Sequence, residues 1–130
     1  LILFIALVLV LVTQLRSEAR LVIRIKQALF IYKGKRIVVF SEPERDLLIA
    51  LALEGKMSLP AIEVLVSDAI DSSAVRIKKR ERLIKSLNDK IGALFNESPS
   101  YRSEYFLFDA DAEDRRIRVV ALNLQHFKVL

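Results

Sequence analysis

The sequence predicts an α+β fold: a small antiparallel sheet, three helices and a C-terminal β-hairpin, preceded by an apolar N-terminal helix. Three observations carry this. Short β-rich runs surround the loop Lys33-Gly34-Lys35. Two Ser-x-Pro or Ser-Leu-Pro starts, at Ser41 and Ser58, each open a helical apolar periodicity. Two further apolar runs, residues 101–108 and 117–124, bracket the polar stretch Asp109-Ala110-Asp111-Ala112-Glu113-Asp114.

Residues 1–12 read LILFIALVLVLV, with no polar atom in any side chain. Twelve helical residues span about 18 Å, short of the roughly 30 Å hydrocarbon core. Because the chain starts at Leu1, the run is read as the second half of a spanning helix that begins upstream. Arg16, Arg20, Arg24 and Lys26 follow, and a basic flank belongs on the cytoplasmic side. The expectation is a single-pass anchor in the inner (cytoplasmic) membrane over residues 1–16, with a cytoplasmic domain over 17–130. One rival is a signal-peptide core cleaved near Ser17-Glu18-Ala19. It fits less well, since signal peptides carry their charge on the N-terminal side. The other rival is a buried element of a soluble core.

In Leu21-Val22-Ile23-Arg24-Ile25-Lys26 the apolar Ile23 and Ile25 alternate with Arg24 and Lys26, a strand period. Residues 29–32 and 36–40 then flank the glycine loop as a hairpin, giving three strands in all. Ser41 caps a helix over 42–54, with Pro43 in its first turn, Glu42 and Glu44 at the positive end of the dipole and Gly55 at its close. Ser58 and Pro60 open a helix over 58–67 with the stripe Leu59, Ile62, Leu65 and Val66. A third runs over 72–91, capped by Asp71, Ser72 or Ser73, with the stripe Ile77, Ile84, Leu87 and Ile91.

The 130 residues suit one compact domain plus an appendage, and 53% apolar content supplies a core. The absence of cysteine excludes disulfides, thiolate zinc sites and cysteine nucleophiles. The single histidine, His126, sits beside Phe127, a setting for a surface or edge residue rather than a ligand. Three glycines leave no phosphate-cradling loop. The paired acids Asp109 and Asp111 fall at a turn tip, where no pocket would raise a pKa. No catalysis, cofactor or metal is expected. A net charge of +5 suits a polyanionic partner, nucleic acid or an anionic membrane surface, and from charge alone an ordinary basic protein with no such partner fits equally well.

The passage from Gly34 through an apolar strand to Ser41-Glu42-Pro43-Glu44, then Leu47-Leu48 and Leu51-Ala52, together with the spacing of Ile84, Leu87 and Ile91, resembles the winged helix-turn-helix effector domains of response regulators, the OmpR/PhoB type. The resemblance covers about residues 21–124 and lies in architecture and spacing. The chain is also similar to membrane-anchored proteins carrying one such domain behind a spanning helix, matched by Lys78-Lys79, Arg80 or Arg82, Ile84 and Asn88. It departs from the regulators in having no receiver domain, Arg80 four residues before Ile84, and an acidic tip to the hairpin, the wing.

The resemblance implies a transcription-regulator-like module that places the third helix in the major groove of duplex DNA. That helix carries Arg76, Lys78, Lys79, Arg80, Arg82, Lys85 and Lys90. With Ile84 at the centre of the buried face, Lys78, Lys79, Arg82, Lys85 and Ser86 fall opposite, suited to phosphates and guanine edges. Ser72 and Ser73, with the helix N-terminal amides, suit a phosphate. Arg80 falls towards the core and is expected to pair with Glu44 or Glu63. In the wing, Arg115 and Arg116 complete the expected DNA contacts, with Arg118 close by. Asp109, Asp111, Glu113 and Asp114 either pair with these arginines or mark a protein-facing wing. Tyr101, Tyr105, Phe106 and Phe108 lie at strand spacing and are read as core rather than base-stacking residues. The partners expected are duplex DNA, a membrane through the N-terminal segment, a protein at the acidic wing and a second copy of the chain. The competing reading is a protein-interaction adaptor that binds no DNA.

Overall fold

The computed structural model describes the backbone of residues 1–130 and the side chains of residues 1–12 and 19–130. It is a mixed α+β structure with four α-helices and two small sheets. Helix α1 (Ile2–Glu18) leads into β1 (Leu21–Arg24), β2 (Leu29–Tyr32) and β3 (Lys35–Arg36). Then come α2 (Glu42–Glu54), β4 (Lys56–Ser58), α3 (Leu59–Val66), α4 (Ser73–Leu94), β5 (Phe106–Ala110), β6 (Arg118–Leu122) and β7 (Phe127–Val129).

No helix among the described residues is long and apolar enough to cross a membrane. This corrects the expected single-pass inner-membrane anchor and the cytoplasmic placement built on it. Helix α1 has 17 residues, about 25 Å at 1.5 Å per residue. Its unbroken apolar run ends at Val12, and Thr13, Gln14, Leu15, Arg16, Ser17 and Glu18 complete it. The side chain of Arg16, counted in the expected basic flank, lies outside the described residues.

The first sheet has the order β3-β2-β1-β7. Strands β1 and β2 pair antiparallel with Ile23 opposite Phe30, and β7 lies parallel to β1 with Leu21 opposite Phe127. The two-residue turn after β2 takes Lys33 and Gly34 into positive φ (51° and 74°), the geometry that closes a tight hairpin. Strand β3 is shorter than expected. Ile37 still donates its N–H to the Phe30 carbonyl (2.7 Å), but Val38 and Val39 are exposed. The chain leaves the sheet there to bury Phe40 edge-on against Phe30, with ring centroids 5.4 Å apart.

Helix α2 begins where Ser41 donates its N–H to Glu44 Oε1 (2.7 Å) and ends at Gly55, whose φ of 81° suits glycine. Strand β4 then fills the gap before α3 by pairing with β6, which also pairs with β5, giving a second sheet in the order β4-β6-β5. Strands β4 and β7 have three residues each and were not expected from sequence. Leu21, Ile23 and Phe30 of the first sheet meet Leu47, Leu48 and Leu51 of α2 in one core, closed by Ile62, Leu87, Ile91, Phe106 and Phe127. Tyr105 and Phe106 are buried as expected; Tyr101 lies exposed in a short 3-10 turn, and Phe108 is 45% exposed. Those two are corrected from core to surface.

Candidate nucleic-acid interface

Helix α4 shows what its seven cations can reach. Ser72 caps it, its hydroxyl accepting the Val75 N–H at 3.3 Å. Leu87 and Ile91 are fully buried, whereas Ile84 is half-buried and Ile77 is 40% exposed. The buried face therefore centres on Leu87 and Ile91, not on Ile84. Ser86 consequently turns inward from the expected outer face, and its hydroxyl donates to Glu44 Oε2 at 2.8 Å.

Three of the seven cations are occupied within the protein. Arg80 donates to Glu63 Oε1 at 2.6 Å, tying α4 to α3 as one of the two expected pairings. Lys90 reaches Glu44 Oε1 at 2.5 Å, tying α4 to α2. Lys79, expected to point at a ligand, sits 2.5 Å from Asp71 Oδ2 and 3.5 Å from Asp68 Oδ2. Arg76 is half-buried. Lys78, Arg82 and Lys85 remain exposed, with no ion pair among the described residues. Their spacing of four and three residues places them within about 60° of one another on the helix, opposite Leu87 and Ile91.

Glu44, expected from sequence at the helix start and as one of two partners for Arg80, pairs instead with Lys90 and Ser86. It is buried, 1% exposed. Burial alone would raise its carboxyl, but hydrogen bonds from Lys90, the Ser41 N–H and Ser86 outweigh that and hold it at about 2. Its place in a Ser-x-x-Glu capping box was legible; the reach from α2 across to Ser86 and Lys90 was not. Asp71 is likewise held below the usual carboxylate range, first by Lys79 and then by the Asp68 N–H.

At the hairpin, Arg116 Nε lies 3.1 Å from Asp114 Oδ1, which lowers the Asp114 carboxyl. Arg115 and Arg118 are exposed, with no ion pair among the described residues. Asp109 and Asp111 accept local backbone N–H groups, from Ala110 and Glu113. The expected pairing of acids with arginines is thus realised at Asp114 alone. Ser73 is exposed at the start of α4. No group of three or more His, Asp or Glu residues among those described is placed to hold a metal ion.

No family model, curated protein or solved structure matches this chain.

Proposed function

We propose that the chain is a winged helix-turn-helix module that binds duplex DNA, with α3 and α4 as the helix pair and the β5–β6 hairpin as the wing. The observation that carries this reading is the stripe Lys78, Arg82 and Lys85. It is exposed, unpaired among the described residues and set opposite the face that α4 buries. Such a stripe lets a helix enter the major groove with cations towards phosphates and guanine edges while its other side stays in the core. Ser73, at the start of α4, and Arg115, at the wing, are exposed as well. The test is fluorescence anisotropy of the chain with a mixed-sequence duplex between 50 and 200 mM salt. Three phosphate contacts give a slope of log affinity against log salt of about −2.7. A slope near zero removes the reading.

A second reading, a protein-docking module without DNA binding, is favoured by one observation. Asp109, Asp111 and Glu113 at the wing carry no ion pair among the described residues and would repel phosphate. The variant Asp109→Asn/Asp111→Asn/Glu113→Gln separates the readings. It tightens duplex binding in the first and leaves the absence of binding unchanged in the second.

A further inference from the structure

The turn between α3 and α4, residues 67–72, has no apolar anchor. Asp68, Ala69 and Ile70 are exposed, and Ile70 is 94% exposed. Its shape rests on polar contacts. The Asp68 N–H donates to Asp71 Oδ2 at 2.9 Å, and the Asp71 N–H donates to the Asp68 carbonyl at 3.1 Å. Lys79, from the second turn of α4, reaches back to Asp71 Oδ2 at 2.5 Å and Asp68 Oδ2 at 3.5 Å. One ammonium thus closes the turn against the helix that follows it.

Resting on the duplex-binding reading, we infer that Lys79 and Asp71 form a clamp that holds the α3–α4 turn, and with it the first turn of α4, in the conformation that enters the groove. Lys79 is then a positioning residue, and Lys78 beside it the phosphate contact. The other charges that act on the clamp among the described residues are Asp68 on the turn and Arg76 on α4. A turn released from its clamp samples other shapes, and apparent affinity falls with the fraction that remains competent. A competent fraction of about 10–20% weakens binding about five- to tenfold.

This predicts an effect opposite in sign to simple electrostatics. Removing an acid near a polyanion ordinarily tightens binding, yet loss of Asp71 should weaken it. Asp71→Asn is the informative variant, because the amide oxygen can still accept the Asp68 N–H while the negative charge that holds Lys79 is lost. Wild type, Asp71→Asn, Lys79→Ala and the double variant are titrated with the mixed duplex at several salt concentrations. Amide hydrogen exchange over residues 68–76 is followed in parallel. Lys79→Met keeps the aliphatic stem and guards against a folding defect. The expected result is five- to tenfold weaker binding by each single variant, no further loss in the double, faster exchange in the turn and an unchanged salt slope. The clamp is overturned if Asp71→Asn binds as tightly as wild type or tighter. It is also overturned if Lys79→Ala lowers the slope by about 0.9, the signature of a direct phosphate contact. Failure of wild type to bind duplex at 50 mM salt overturns the duplex-binding reading itself, and the clamp's role with it.

Discussion

At the scale of single residues, Glu44 joins α2 to α4 through a buried carboxylate bonded to Ser86 and Lys90. A carboxylate held at about 2 against an ordinary 4.5 binds its proton more weakly in the folded chain than in the unfolded one. It therefore stabilises the fold above about pH 4.5, and that contribution is lost as pH falls from there towards 2. A depression of this size corresponds to about 3 kcal/mol. Glu44→Gln should lower the urea midpoint at pH 6, and the difference from wild type should shrink steadily between pH 4.5 and 2. Unfolding titrations across that range check it; a difference that persists at pH 2 would show that packing, not charge, is at work. Ile84 and Leu87 make a second comparison. Leu87 is fully buried and Ile84 only half-buried. Leu87→Ala should therefore cost about 2–5 kcal/mol and Ile84→Ala clearly less, read from denaturant unfolding at constant m-value. Taking Ile84 as the centre of the face was an error of about 40° around the helix, because 3.6-residue spacing fixes which residues share a face but not which of them points deepest.

At the scale of elements, the three inner helices and the hairpin were legible because their signals are local. Ser41, Pro43 and Gly55 bracket α2, and Ser58 with Pro60 opens α3. Strands β4 and β7 were not legible. Each has three residues and exists through a partner distant in sequence, β6 for one and β1 for the other. The interface shows the same division. The list of cations on α4 and the pairing of Arg80 with an acid came from sequence, but the occupation of Lys79 and Lys90 depended on Asp68, Asp71 and Glu44 arriving from the turn and from α2. On the duplex-binding reading this sorting has a measurable consequence. Lys78→Ala, Arg82→Ala and Lys85→Ala should each flatten the salt slope by about 0.9 where the side chain meets a phosphate. If Arg82 instead reads a guanine, its loss should cost about 1–3 kcal/mol on a preferred site and leave other sequences little affected. Lys90→Ala should leave the slope unchanged and lower stability, since its ammonium is spent on Glu44.

At the scale of the whole molecule, the chain divides into a packed body and a helix that contributes nothing described to that body's core. Every core residue lies between Leu21 and Phe127, and the side chains of residues 1–12 are all exposed. Burial stabilises by about 25 cal/mol for each Å² of apolar surface removed from water, so side chains left in water add almost nothing to folding. They do create an apolar surface on every side of one helix, and large exposed apolar surfaces associate. Removing residues 1–12 should therefore separate two properties that the intact chain combines. The unfolding free energy of residues 13–130 should match that of the full chain to within about 1 kcal/mol. On the duplex-binding reading, the salt slope with duplex DNA should also be retained, because Lys78, Arg82 and Lys85 lie on α4. Sedimentation velocity in detergent-free buffer should show concentration-dependent association of the full chain and a single monomeric boundary for residues 13–130. Loss of the cooperative unfolding transition on truncation would instead mean that α1 supports the core. That support would run through the groove that Leu9 and Val12 line together with Arg20, Leu124 and His126.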